Sequence, residues 1–274
     1  MKIVSFNVNS LRQRLHQLQS VIDKHAPEFI GLQETKVQDQ EFPLDAITGM
    51  GYQVIYAGQK THYGVALMSR LPCSNACYGF PGDPEDAQKR FIGGEFEMNG
   101  DPLMVFNGYF PQGESRDHPV KFPAKQRYYR DLTDFLGAYD MMRTPLILMG
   151  DYNIAPQDSD IGIGEDNAKR WLKTGKTSFL PEEREWFQRL ESLGLHDGFR
   201  LCHAQTDDLF SWFDYRSRGF EREPKRGLRI DHLLVSEQLK SSVVDAGIDY
   251  DIRGMEKPSD HAPAWIELNL AVGV

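Results

Sequence analysis

The run Pro145-Leu146-Ile147-Leu148-Met149-Gly150-Asp151-Tyr152-Asn153 is an apolar stretch of strand length that stops at a carboxylate and an amide. Side chains alternate along a strand, so Asp151 and Asn153 can project to one face while Tyr152 points away. The same pattern recurs along the chain. Residues 2–6, 28–32, 65–68, 103–106, 145–149 and 230–235 all have strand length and apolar content, and several end at acidic or amide residues. Helical stripes lie between some of them. Leu11, Leu15, Leu18, Val21 and Ile22 fall on one stripe behind Ser10 as N-cap; Tyr128, Leu132, Phe135, Leu136 and Tyr139 form another after Pro123. The pattern predicts an α/β sandwich with sheets inside and helices outside, a doubly wound sheet being the alternative that composition alone does not separate from it. No linker, low-complexity tract or internal repeat divides the chain, so residues 1–274 are expected to form a single domain.

The polar residues at the strand ends form a set: Asn7, Glu34, Asp151, Asn153, Asp231 and Asp260, with His261 beside the last. Any one of them could simply end a strand through a turn; together they point to one site. Hydrolysing a phosphoester requires an oriented, deprotonated water and neutralisation of the phosphoryl oxygens. Hard oxygen ligands suit Mg²⁺ in that role, and Glu34, Asn7 and Asp260 supply them. No zinc-type spacing of histidine or cysteine competes, and no Gly-x-Ser-x-Gly elbow offers a serine nucleophile. Adjacent extended residues face opposite ways, so Asp260 is not expected to hold the His261 imidazole. Asp231 is the expected partner, its charge favouring an imidazolium that can hydrogen-bond a phosphoryl oxygen. The other seven histidines are read as structural.

The chain has 274 residues, 40% of them hydrophobic and 26% charged, which is ordinary for a soluble globular protein. Its start lacks a signal peptide's pattern, and no run approaches the roughly 18 apolar residues of a membrane span, so a cytoplasmic protein without a membrane partner is expected. Three cysteines are too few for a disulfide framework and are read as reduced. The net charge of −9 is unevenly distributed. Segments 116–130, 169–176 and 216–229 each net +4, leaving −21 on the rest of the chain, as a nucleic-acid-facing rim on an acidic protein would.

Read in order, these motifs resemble the exonuclease III family within the endonuclease/exonuclease/phosphatase superfamily. The resemblance runs from Asn7 through Gln33-Glu34-Thr35-Lys36, Asn107-Gly108-Tyr109-Phe110-Pro111-Gln112-Gly113 and Gly150-Asp151-Tyr152-Asn153. It continues through Trp212-Phe213-Asp214-Tyr215-Arg216 and Arg229-Ile230-Asp231 to Ser259-Asp260-His261-Ala262-Pro263, nearly the whole chain. It implies a four-layered, DNase I-like α/β sandwich and hydrolysis without a covalent enzyme intermediate. Mg²⁺ or Mn²⁺ would sit at Glu34 with Asn7 and Asp260 nearby, and with Asp151 and Asn153 in the same metal-binding set. Asp151 would orient or deprotonate the attacking water, or else assist the leaving group, and Asn153 would help fix it. Tyr109 and His261 would contact the phosphate, with Asp231 supporting His261. Gln112, Lys121 and Arg216 would contact DNA, and Trp212, Phe213 and Leu228 would line a lesion pocket.

The implied activities are incision at abasic sites, 3′→5′ degradation of double-stranded DNA and cleaning of blocked 3′ ends, by a monomer. The alternatives are a superfamily phosphoesterase acting on a lipid headgroup, a DNA-binding protein without catalysis, and a nuclease lacking abasic-site incision. The charged loop 221–226 has no counterpart that the resemblance supplies.

Overall fold

The predicted strands form with their ends shifted by a few residues, and further strands join them. They are β1 Lys2–Asn7, β2 Phe29–Gln33, β3 Gln53–Ala57, β4 Val65–Ser69, β5 Cys73–Tyr78, β6 Phe91–Met98, β7 Asp101–Tyr109, β8 Leu146–Asp151, β9 Leu195–Asp197, β10 Asp231–Ser236, β11 Val243–Ile248 and β12 Ala264–Leu268. The helices are α1 Leu15–His25, α2 Leu44–Gly49, α3 Lys121–Leu136, α4 Glu165–Lys173, α5 Pro181–Ser192, α6 Gly198–Cys202, α7 Glu237–Lys240 and α8 Tyr250–Arg253. The computed structural model describes residues 1–270. Among these, the strands make two six-stranded sheets, ordered β11-β12-β1-β2-β4-β3 and β5-β6-β7-β8-β10-β9. Both are mixed: β1 runs parallel to β2 and β7 to β8, while the other pairings are antiparallel.

The runs are continuously apolar because both faces of each sheet are buried. Ile3, Phe29, Leu67, Val105, Ile147, Met149, Leu233 and Val235 meet in the core between the sheets. Their neighbours Val4, Ile30, Ala66 and Met68 face outward, with Leu18, Val21 and Ile47 of α1 and α2 packed on them. On the other sheet, Phe106 and Leu148 face Tyr129, Leu132, Trp186 and Phe187 of α3 and α5. The result is four layers, helix–sheet–sheet–helix. The sheets approach closely at Gly31, where an added Cβ would lie 2.7 Å from Met149 Sδ and 2.8 Å from Asn107 Oδ1. A side chain there would force the sheets apart, an overpacking cost of about 1–3 kcal/mol. Among the described residues, no helix is long and apolar enough to cross a membrane.

One local expectation is corrected. Ser10 is not the cap of a helix beginning at Leu11; its φ is 90° and its side chain caps nothing. The Ser10 and Leu11 amides instead donate to the carbonyls of Glu34 and Thr35, at 2.8 and 3.1 Å. These bonds divert the chain through a short 3₁₀ turn, so α1 starts only at Leu15.

Candidate active site

The inward-facing row of each strand becomes polar at one end of the sandwich. On β1 it passes from Ile3 to Ser5 and Asn7, on β2 from Phe29 to Gln33, and on β7 from Val105 to Asn107 and Tyr109. On β8 it runs from Met149 to Asp151, and on β10 it starts with Asp231. Register places Asp151 opposite Tyr109 on one side and opposite Asp231 on the other. The two sheets are joined at this end by buried amides. Gln33 Nε2 donates to Asn107 Oδ1 at 2.6 Å, and Asn107 Nδ2 donates to the Leu32 and Ala66 carbonyls at 2.9 Å.

Asn7 spans the seam. Its Nδ2 donates to Asp151 Oδ2 at 2.9 Å and to Glu34 Oε1 at 3.1 Å. His261 is held by Asp231, with Nδ1 2.8 Å from Asp231 Oδ2 and Nε2 3.8 Å from Asp151 Oδ2. Although burial opposes it, the charges of Asp231 and Asp151 push the His261 pKa up to about 10, which favours an imidazolium with an N–H on each nitrogen, Nδ1–H donating to Asp231 and Nε2–H left for another acceptor. Burial, together with the Asp231 and Glu34 charges, pushes Asp151 up to about 7 against the pull of His261 and Asn7. A carboxylate with that pKa is matched to accepting a proton near neutral pH. Burial also holds the Tyr109 phenol well above its ordinary value, so it stays protonated and can donate. Asn153 adopts φ 52°, donates its backbone N–H to Asp151 Oδ1 at 3.0 Å and its side-chain amide to the Phe110 carbonyl at 3.0 Å.

Ligand atoms of Glu34, Asp151 and His261 lie within 4.8 Å of one another. Glu34 is partly open to solvent. Burial raises its pKa, but the Lys36 ammonium at 2.8 Å and the Asn7 amide outweigh this and hold it below the usual carboxylate value. Asp231 Oδ1 is buried with no hydrogen-bond partner. The clustered Glu34 and Asp151 oxygens, with the unpartnered Asp231 Oδ1 on the neighbouring strand, are hard donors of the kind that fits a divalent cation. Asp260 stands outside this trio, its two oxygens accepting from Asn9 Nδ2 at 2.9 Å and Trp212 Nε1 at 3.1 Å.

Two serines that residue type and spacing did not single out support the site. Ser259 Oγ donates to the Asn7 carbonyl at 2.6 Å and accepts from the His261 amide at 3.2 Å; Ser211 Oγ accepts from the amides of Ile230 and Asp231 at 3.0 Å. Their only sequence signal is position, Ser259 opening the motif that ends at Pro263 and Ser211 standing just before Trp212.

Beside the cluster lies a hollow of about 180 Å³ whose walls include Trp171, Lys176, Trp212, Asp214 and Arg226. Arg222 and Arg226 of the unmatched charged loop help to close it. Of the three residues expected to line a pocket, only Trp212 reaches it. Phe213 and Leu228 are 0% and 1% exposed, because Phe213 packs edge-on against Phe220 and Tyr250 and Leu228 is bridged to Trp212 and Ile161. Gln112, Lys121 and Arg216 are on the surface, Lys121 2.5 Å from Glu114. Two cations counted in the basic segments are not on the rim. Lys125 and Arg229 are 0% and 1% exposed, each neutralised by buried carboxylates: Glu183 for Lys125, and Asp160 and Asp197 for Arg229.

Residues 4–261 match the endonuclease/exonuclease/phosphatase family. Exodeoxyribonuclease III of Haemophilus influenzae is 55% identical over 267 residues, covering 97% of this chain and 99% of that protein. Among solved structures, a Neisseria 3′ phosphatase, NExo, bound to a product DNA hairpin superposes with a TM-score of 0.89 at 38% identity, covering 98% of this chain and 99% of that one. An AP endonuclease from Archaeoglobus fulgidus gives 0.88 at 30% identity, covering 98% and 100%.

Proposed function

The chain belongs to the endonuclease/exonuclease/phosphatase family, and we propose that it works in DNA repair by the chemistry of the Asp151–His261 site. It is a nuclease of the exodeoxyribonuclease III type, a hydrolase with AP endonuclease activity. The observation that carries this reading is the convergence of Glu34, Asp151 and His261 within 4.8 Å in a chain 55% identical to an exodeoxyribonuclease III.

In the proposed mechanism, Asp151 takes a proton from the attacking water, its buried carboxylate oriented by the Asn7 side-chain amide and the Asn153 backbone N–H. Tyr109, Asn153 and the His261 imidazolium bind the phosphoryl oxygens, and Asp231 keeps His261 charged and oriented through Nδ1. Glu34 is the principal ligand for Mg²⁺ or Mn²⁺, with Asn7, Asp151, Asn153 and Asp260 around it. Bound there, the ion supplies Lewis-acid neutralisation of charge on the phosphate and the departing alkoxide.

The substrate proposed is double-stranded DNA at abasic sites and 3′ ends, with Gln112, Lys121, Arg216 and Trp212 toward the strand. We also propose that residues 1–274 act as one domain and as a monomer in the cytoplasm, where the three free cysteines stay reduced. The test is a labelled duplex carrying a tetrahydrofuran abasic analogue, compared with an intact duplex and one ending in a 3′-phosphate. Incision and 3′ trimming that require Mg²⁺ and stop with chelator are expected; turnover of phosphoinositide or sphingomyelin headgroups without cleavage of DNA would refute the reading.

A further inference from the structure

We propose that Lys125 is a positioning residue for the phosphate site, clamping the chain that leaves β7 at Gln112 to the chain that leaves β8 at Asn153. The inference rests on the reading of that site as a phosphodiester hydrolase. Lys125 projects from α3 with no exposed surface. Its ammonium donates to the Asn153 carbonyl at 2.8 Å, to the Gln112 carbonyl at 3.3 Å and to Glu183 Oε1 at 2.5 Å, which uses all three of its N–H donors. Glu183 is equally buried and is itself fixed, its Oε2 accepting the amides of Ser178 and Leu180 at 2.8 Å where α5 begins.

Both clamped segments need outside support. Asn153 holds φ 52°, a left-handed conformation that a non-glycine residue keeps only where its surroundings impose it. Gly113, next to Gln112, has φ 86° and lies flat on the lysine stem, where an added Cβ would stand 3.0 Å from Lys125 Cδ. Lys125 therefore backs one segment with its stem and ties both with its head. A buried ion pair is a poor device for stability alone, because an uncharged pair of similar volume usually does as well. What an ammonium adds is donors in three directions from one fixed point, which is what holding two carbonyls against an anchored carboxylate requires.

The test compares wild type, Lys125→Met and Lys125→Met/Glu183→Gln on the abasic duplex at saturating DNA and Mg²⁺. The single variant strands a buried carboxylate and is expected to melt well below wild type; the double variant removes both charges and is expected to melt within a few degrees of it. In the folded double variant kcat should fall on the order of 10- to 100-fold, as a small displacement of positioning groups produces, with a smaller rise in KM that comes through Gln112, since Lys125 itself has no surface with which to touch DNA. Hydrogen exchange should rise across residues 110–113 and 153–155 and hold steady in β8. A folded double variant with kcat within twofold of wild type would overturn the proposal. So would a double variant that does not fold, which would make the pair a requirement of the core. Wild-type protein inert on the duplex would instead remove the hydrolase reading and this role with it.

Discussion

Asp231 stands directly opposite Asp151 in the antiparallel pairing of β8 with β10, two buried carboxylates side by side with the imidazole of His261 between them. Like charges directly across a strand pair ordinarily destabilise it. Here the cation that relieves the repulsion is also the group proposed to meet the phosphate. Asp231→Asn keeps the shape and removes the charge, and its amide can turn a donor toward Nδ1–H. We expect kcat on the abasic duplex to fall on the order of 10²- to 10⁴-fold while the protein remains folded. Turnover near wild type would show that Asp231 does not govern His261.

Glu34 offers a readout that does not depend on catalysis. Mg²⁺ at a hundred times its Kd should stabilise wild type by about 2.7 kcal/mol, visible as a rise in Tm, and should leave Glu34→Ala unmoved. The variant should also be inactive at ordinary Mg²⁺. An equal rise in Tm for both proteins would place the ion elsewhere.

Trp212 and Phe213 are neighbours with opposite surroundings, so their alanine variants should fail differently. Phe213→Ala opens a cavity in a packed aromatic cluster and should lose about 3–5 kcal/mol of stability. Trp212→Ala should stay folded and lose about 1–3 kcal/mol of preference for abasic over undamaged duplex, the scale of one stacking contact. Cleavage ratios and melting curves on the two variants decide it; an unchanged ratio in Trp212→Ala moves lesion choice away from the indole.

Phosphate contacts show in the salt dependence of binding. Lys121→Ala and Arg216→Ala should each reduce the slope of log affinity against log salt by roughly 1. Arg229, enclosed by Asp160 and Asp197, makes no such contact, so its substitution should show in stability instead. A slope unmoved by both surface variants would mean that DNA crosses a different face.

Asp249 ties α1 to α8, accepting from Lys24 Nζ at 3.0 Å and lying 2.7 Å from His25 Nε2. Although burial alone would raise its pKa, these partners bring it from the ordinary 3.8 down to about 2. A depressed folded-state pKa contributes stability that is present above the unfolded value and is lost as pH falls through the folded one. Asp249→Asn should therefore lower Tm at pH 7 and narrow its deficit between pH 4 and 2. A deficit constant across that range would contradict the assignment.

The strands and the polar residues at their ends were legible because burial on both faces writes continuous apolar runs, and the polar residues that follow each run mark where the sandwich stops. Asn7, Glu34 and Asp151 could be read that way. Charge could not, because a sequence shows a cation without its partner. Lys125 and Glu183 are 58 residues apart, Arg229 and Asp160 69, and nothing local distinguishes these buried pairs from a solvated rim. The aromatic pair could not be told apart for a related reason: a loop has no fixed periodicity, so Trp212 and Phe213 read alike although only Trp212 reaches the hollow. Ser10 had the right residue type for a cap, and long-range backbone bonds to the Glu34 loop overrode it.

Because Asn7 and Glu34 come from one sheet and Asp151, Asp231 and Tyr109 from the other, neither half of the molecule contains a working constellation. Catalysis is then a reporter of sheet docking. In a denaturant titration, activity should vanish at the same midpoint as the core between the sheets, with no partly competent species.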